Sequence, residues 1–335
     1  MEGMKHLLSK TCIGCALLVL LMGCASKTEK KADTADDSAR KQEVPALVVK
    51  GTQLMNEKGD TVVLHGVSYG WHQFWPRFYN ASSVAWLVKD WGAEVLRASM
   101  GVELEGAYID DPQKGVECVQ AVVDAAIANG VYVIIDWHSH GIRTEEAKGF
   151  FTQMATRYKG VPNVIYEIFN EPVEDSWEQV KAYSEEVIKT IRAIEPDALI
   201  LVGCPHWDQD IHLAADSPIT GYKNLMYTLH FYANTHGQWL RERADYALGK
   251  GLPIFVSECA GMEASGDGPL NPEEWSLWVD WMRSHSISWV AWSISDKDET
   301  CSMLYPKASS EGNWKDDDVK EWGHMVRQEL KKVRR

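Results

Sequence analysis

Two short apolar runs in this chain end in a carboxylate, and both placements bear on chemistry. Val164-Ile165-Tyr166-Glu167-Ile168-Phe169 leads without a break into Asn170-Glu171-Pro172, and Pro253-Ile254-Phe255-Val256-Ser257 leads into Glu258. Apolar, β-rich runs of this length read as buried parallel strands. An ionisable group set where such a strand leaves the core costs stability unless it does something there. Two carboxyl groups facing each other across a pocket can divide the roles of nucleophile and general acid, the arrangement that cleaving a glycosidic bond requires.

The elements that would hold such a pair follow one pattern from about residue 62 onward: apolar strand, loop, amphipathic helix, repeated. Eight strands are expected, at Val62–Ser68, Glu94–Met100, Val131–Trp137, Val164–Asn170, Ala198–Gly203, Leu225–His230, Pro253–Glu258 and Ser288–Ser293. The helices carry end signals. Asn271-Pro272-Glu273-Glu274 offers an N-cap, a first-turn proline and acids that suit the helix dipole. Gly115 to Asn129 repeats apolar residues at spacings of three and four, with Gly130 as the stop. Asp175 opens a further helix that ends near Glu195-Pro196. Eight such units close most economically into a (β/α)8 TIM barrel, an α/β fold whose functional groups gather at the C-terminal ends of the strands. An open doubly wound sheet is the rival, but no glycine-rich phosphate loop follows the first strand. Residues 46–61, with Asn56-Glu57-Lys58-Gly59-Asp60 as turn material, read as a short N-terminal β-hairpin closing the barrel floor.

Composition narrows the partner. The chain has 335 residues, 45% of them hydrophobic, which supports one sizeable core. Its net charge of −14 repels nucleic acid and polyanionic glycans, so no nucleic-acid partner is expected and a neutral or cationic polymer is favoured. Fifteen tryptophans is a high count, and those in loops can stack on sugar rings. Trp275, Trp278 and Trp281 recur at helical spacing and read as packing residues instead.

The last residues of the expected strands are Arg97 on the second, Trp137-His138 on the third, Asn170-Glu171 on the fourth, His230 with Tyr232 on the sixth, Glu258 on the seventh and Trp292 on the eighth. His138-Ser139-His140 could open a metal site, but carboxylate and thiolate companions are missing at suitable spacing. No metal or organic cofactor is implied.

Asp136-Trp137-His138, Ile168-Phe169-Asn170-Glu171-Pro172, His230-Phe231-Tyr232, Val256-Ser257-Glu258 and Trp292-Ser293-Ile294-Ser295-Asp296-Lys297 together resemble glycoside hydrolase family 5, in its bacterial cellulase-type members, in order and at the expected strands. The resemblance covers residues 46–335, the expected catalytic domain. It implies a retaining endo-β-1,4-glucanase in which Glu258 is the ionised nucleophile and Glu171 the protonated acid/base. Arg97 and Tyr232 would hold the nucleophile's pKa down, Asn170 would bond the sugar 2-hydroxyl, and His138 and His230 would line the floor. It also implies substrate contacts from Trp292 beneath the reacting sugar, Lys297 and Glu299 on the non-reducing side and Trp207 on the leaving-group side. Trp71, His72 and Trp75 after the first strand would extend the cleft. The chain departs from many members at Gly70 and at Met100-Gly101-Val102-Glu103, which alters the non-reducing wall. A β-mannanase on the same scaffold, and a surface glycan-binding lipoprotein without catalysis, are the alternative readings.

The N-terminus is a targeting device. Lys5 and Lys10 precede a short apolar stretch from Cys12 to Leu21, and Leu21-Met22-Gly23-Cys24 resembles a bacterial lipobox. Residues 1–23 are thus expected to be a signal peptide, Cys24 the lipidated residue and residues 24–45 a disordered tether, giving an exported, membrane-anchored bacterial lipoprotein. Of the remaining cysteines, Cys259 and Cys301 are expected in loops at one end of the fold, where they could pair; buried free thiols are the other reading.

Overall fold

The computed structural model describes residues 44–333, so the expected signal segment and Cys24 lie outside the described residues. Its first element is a hairpin of β1 (Leu47–Lys50) and β2 (Gln53–Asn56). Eight parallel strands follow: β3 (His65–Tyr69), β4 (Val95–Gly101), β5 (Tyr132–His138), β6 (Val164–Glu167), β7 (Leu199–Val202), β8 (Leu225–Tyr232), β9 (Ile254–Ala260) and β10 (Trp289–Ile294). They close into a barrel in the order β10-β3-β4-β5-β6-β7-β8-β9. A helix of at least six residues follows each barrel strand: α1 (Ala81–Trp86), α2 (Pro112–Ala128), α3 (Thr144–Arg157), α4 (Trp177–Arg192), α5 (Ile211–Asp216), α6 (Gln238–Gly249), α7 (Pro272–His285) and α8 (Glu321–Val333). This is the expected (β/α)8 barrel with an N-terminal hairpin.

Local chemistry moves several boundaries. The hairpin turns at Gly51-Thr52, with Gly51 at φ 60°, a conformation that costs glycine little. Asn56–Asp60 instead forms a second turn in which Asn56 Oδ1 accepts the amides of Lys58 (2.9 Å) and Asp60 (3.0 Å). Leu47 and Leu54 pack with Leu64, Ile134, Ile165, Leu201, Phe255 and Val290, so the hairpin does plug the barrel floor. The Pro45 carbonyl accepts the Tyr132 hydroxyl at 2.7 Å, tying the residue before the hairpin to β5. Helix α2 starts at Pro112 because Asp111 Oδ1 caps the Lys114 amide at 3.0 Å. Helix α4 is capped by Ser176, not Asp175, because Ser176 and Gln179 form a reciprocal capping box. Asn271 caps α7 as expected, and Trp275 and Trp278 are buried, the latter stacked on Phe231 at 3.9 Å between ring centres.

The fourth barrel strand ends at Glu167, short of Asn170, for a reason that matters to the site. Beyond Glu167 the backbone bonds alternately to both neighbours, Ile168 to the Leu201 carbonyl (3.0 Å) and Asn170 to the Trp137 carbonyl (3.1 Å). Asn170 and Glu171 are thereby anchored on both sides while no longer in a regular ladder. Cys259 lies on β9 and Cys301 in the loop after β10, both as buried free thiols.

Candidate active site

Arg97, fully buried on β4, organises the floor of the barrel mouth. Its Nε and Nη2 donate to the two oxygens of Glu167 at 2.6 and 3.2 Å, its Nη1 to Glu258 Oε2 at 2.9 Å and its Nη2 to Asn170 Oδ1 at 2.6 Å. Asp136 Oδ2 lies 3.0 Å from the same Nη2 and 2.7 Å from His138 Nδ1. A guanidinium only donates, so it fixes the Asn170 amide with oxygen inward. The Asn170 Nδ2 is left buried with no partner among the described residues, a donor available to a ligand. Burial alone would lower the Arg97 pKa, but Asp136, Glu167 and Glu258 outweigh it and keep the guanidinium charged.

The two strand-end glutamates face each other above this floor. One carboxylate oxygen of each, with a His230 nitrogen, falls in a group whose members all lie within 4.8 Å of one another. Glu258 also accepts the Tyr232 hydroxyl at 2.7 Å. Glu171 meets His230 Nδ1 at 2.9 Å through Oε1 and His140 Nε2 at 3.4 Å through Oε2. His230 Nε2 in turn faces Ser257 Oγ (2.9 Å), Asp208 (3.2 Å) and Glu167 (3.7 Å). Burial would discharge His230, but Asp208, Glu167 and Glu171 raise its pKa well above the ordinary value.

The proton order differs from the expected one. Burial raises Glu171, yet hydrogen bonds from His140 and His230 overturn that and bring it down to about 2. Glu258 is raised by burial and then by the neighbouring Glu171 carboxylate, against the pull of His230, Arg97 and Tyr232. Glu171 is therefore pressed toward the more acidic side of the pair, because the rings that can carry charge gather around it.

A cleft of about 720 Å³ opens above the pair, lined among others by Trp71, Gln73, Phe74, Trp75, His138, His140, Tyr232, Trp292, Lys297, Glu299 and Cys301. Trp292 lies parallel to His138, ring centres 5.2 Å apart. Lys297 and Glu299 form an ion pair on the wall. Trp207 is not among the residues lining this cleft: it stands 40% exposed on left-handed backbone (φ 55°), its amide bonded to the Pro172 carbonyl at 3.1 Å.

His72 is a correction. Its amide bonds to the Ser99 carbonyl, and its ring is fully buried toward α2, where a Cβ on Gly115 would stand 3.4 Å from Nε2. It does not line the cleft, and neither ring nitrogen has a partner among the described residues. Burial, then the Lys114 charge, lower it to about 4, and His236 is lowered likewise by burial. The folded state resists a proton that the unfolded chain accepts from about pH 6.5 downward. Stability is therefore full above that value and falls as pH drops toward 4, by up to about 3 kcal/mol per ring at about 1.4 kcal/mol per pKa unit. Urea midpoints of His72→Leu and the parent protein at pH 7.5 and 4.5 should show the variant losing markedly less on acidification. Equal losses would exclude His72 as a source of the acid sensitivity.

Sequence reading missed the roles of Asp136, Glu167, Asp208, Ser257 and His140, and it missed Gln73 and Phe74 on the wall. For Asp136 part of the signal was present, a carboxylate inside an apolar strand whose neighbour β4 carries an arginine, whereas Glu167 lies one strand further from Arg97.

A (β/α)8 barrel carrying paired glutamates at the ends of its fourth and seventh strands defines a glycoside hydrolase. The family model described as Cellulase (glycosyl hydrolase family 5) matches residues 55–298, and the chain belongs to that family. Endoglucanase Z of Dickeya dadantii is 42% identical over 317 residues, covering 92% of this chain and 71% of that protein. Endoglucanase A of Evansella cellulosilytica is 44% identical over 281 residues, covering 82% and 57%. The chain thus spans between 57% and 71% of the length of these two relatives. A solved structure from Cytophaga hutchinsonii superposes with a TM-score of 0.85 at 44% identity, over 86% of this chain and 95% of that one. The catalytic domain of Thermobifida fusca endoglucanase Cel5A gives 0.80 at 33%, over 85% and 97%. A glutamate-to-glutamine variant of that domain, 32% identical with a TM-score of 0.80 over the same shares, was solved with cellotetraose.

Proposed function

We propose that this chain is a retaining endo-β-1,4-glucanase that hydrolyses internal bonds of cellulose-like or mixed-linkage β-glucan by double displacement. Glu258 attacks the anomeric carbon while Glu171 protonates the departing oxygen, and Glu171 then activates the water that releases the glycosyl-enzyme. The observation that carries this reading is the approach of one oxygen of each carboxylate to within 4.8 Å, too close to leave the wide gap of an inverting pair. Retaining enzymes hold theirs about 5–5.5 Å apart, whereas inverting enzymes need roughly 6.5–9.5 Å to admit a water. Asn170 Nδ2, buried and without a partner among the described residues, suits a sugar 2-hydroxyl, and Trp292 over the floor suits the ring above it. The endoglucanase names of the relatives and the cellotetraose held by a structural neighbour favour glucan.

The test is hydrolysis of mixed-linkage glucan and carboxymethyl cellulose, followed by viscosity and by proton NMR of the first-formed anomer. Rapid loss of viscosity with β-anomer appearing first is the expected result. A first-formed α-anomer would overturn the retaining mechanism, and activity confined to mannan or absent from all glycans would overturn the glucanase reading. We also propose that the mature chain is exported and anchored through lipid on Cys24. Support comes from the Leu21-Met22-Gly23-Cys24 motif and the polar residues after it. Labelled palmitate should enter the full-length protein in a bacterial host and fail to enter the Cys24→Ser variant.

A further inference from the structure

The acid in this mechanism must carry a proton, yet hydrogen bonds from His140 and His230 press the Glu171 pKa down, and the residues around Oε2 indicate where the proton is held. Glu171 Oε1 is taken by His230, whose other nitrogen is committed to the buried Ser257, Asp208 and Glu167. Oε2 faces His140 Nε2 at 3.4 Å. His140 lines the cleft and differs from His138 and His230 in being reachable, its side chain 36% exposed where theirs are buried. It is also held in place, since Trp71 stacks on it at 5.5 Å and 23°, and His138 meets it edge-on at 6.0 Å. The charges that face it are the carboxylates of Glu171, Glu103 and Glu258, while His138 beside it stays neutral through burial. Glu103 is tied to the turn below His140 by the Ser139 hydroxyl at 2.7 Å.

We propose that His140 is a positioning and proton-holding residue for the acid/base, the imidazole and the Glu171 carboxyl sharing one proton. This rests on the assignment of Glu171 given above. In the open cleft the proton sits on Nε2, and the carboxylate accepts from it. When a glucan chain covers the pair and excludes water, the charged partners lose solvation and the neutral arrangement gains. The proton then crosses from Nε2 to Oε2, leaving neutral imidazole and a carboxylic acid, and the acid passes it to the glycosidic oxygen as that bond breaks. In the second half-reaction Glu171 takes a proton from the attacking water, and the pair is again singly protonated. The loss of activity at high pH then belongs to the pair, and His140, raised by Glu171, Glu103 and Glu258 against its own burial, places that loss above the ordinary histidine range.

The experiment compares kcat/KM for His140→Gln and the parent protein on cellotetraose and on 2,4-dinitrophenyl β-cellobioside, whose leaving group departs without protonation. Glutamine keeps a donor beside Oε2 and cannot titrate. The expected result is a loss of about tenfold or more on cellotetraose at pH 7, within the range of general acid catalysis. The basic limb should move down by about one pH unit, and the dinitrophenyl substrate should be cleaved at close to the parent rate. Equal losses on both substrates, or an unmoved basic limb, would overturn the proposal. Glu171→Gln is run beside it: the same contrast between substrates in that variant upholds Glu171 as the acid even where His140 fails. Its absence would overturn the assignment of Glu171, and with it this role for His140.

Discussion

Glu258→Ala is expected to lower kcat on β-glucan by at least about 10⁴-fold, since removing a hydrolase nucleophile that acts as part of a unit costs on the order of 10⁶-fold. The fold should survive. Arg97 keeps Glu167 and Asp136 as counter-charges when Glu258 is removed, and Glu258 is itself a buried carboxylate that the folded chain must desolvate. The deleted side chain leaves a space beneath the anomeric carbon, between Arg97 and the Tyr232 hydroxyl, that a small anion can enter. Azide with an activated aryl β-cellobioside should therefore restore turnover and yield the α-glycosyl azide, because a single attack from the Glu258 side inverts configuration. Glu171→Ala under the same conditions should give the β-azide, because the glycosyl-enzyme still forms and azide then arrives from the opposite face. Both products together test the assignment of each glutamate to its side of the sugar. Formation of the β-azide by Glu258→Ala would exchange the two roles.

Why those glutamates were legible while their supporting network was not is a matter of where information resides. Glu171 and Glu258 each end an apolar run, so the local pattern betrays a group that packing does not want, and the strand-helix alternation places both at one end of a barrel. Asp136 and Glu167 lie on facing register positions of β5 and β6, a relation that only the closed sheet creates. Asp208 reaches His230 through a turn whose residues His206, Trp207 and Asp208 all adopt left-handed backbone at φ 60°, 55° and 59°. Such residues cost on the order of 1–2 kcal/mol each, and no propensity in the sequence announces them. His72 failed for the converse reason. Its position just after the first strand suggested the cleft, but its amide bonds to the Ser99 carbonyl and its ring is buried toward α2. The order of the two glutamate pKa values was equally hidden, because it depends on His140, in the loop after β5, and His230, on β8, converging onto Glu171.

Arg97→Met should affect stability and catalysis together, with a dependence on pH that separates charge from packing. In the parent protein one buried guanidinium neutralises carboxylates at 2.6, 2.9 and 3.0 Å and orients the Asn170 amide. Without it the carboxyls stand in a low-dielectric floor with no fixed cation, and breaking a buried ionic arrangement costs about 3–5 kcal/mol. Their response is to take up protons, since burial already presses Asp136 and Glu258 upward and Arg97 is what opposes it. A carboxyl whose folded pKa exceeds its unfolded one binds more protons when folded, so the variant's stability falls as pH rises through that interval. The deficit relative to the parent should thus be largest at pH 7 and should shrink toward pH 4.5. The same uptake protonates Glu258, so the acid limb of kcat/KM should move upward and activity at pH 6 should fall by several orders of magnitude. Arg97→Lys divides these effects. A single ammonium restores much of the charge but cannot grip Glu167 with two parallel bonds while reaching Glu258 and Asn170. Stability should largely return and activity should not. Denaturation of both variants at pH 4.5 and 7, beside their pH-rate profiles, decides the matter: a deficit independent of pH would mean that Arg97 acts by filling space, and the electrostatic account of the floor would fail.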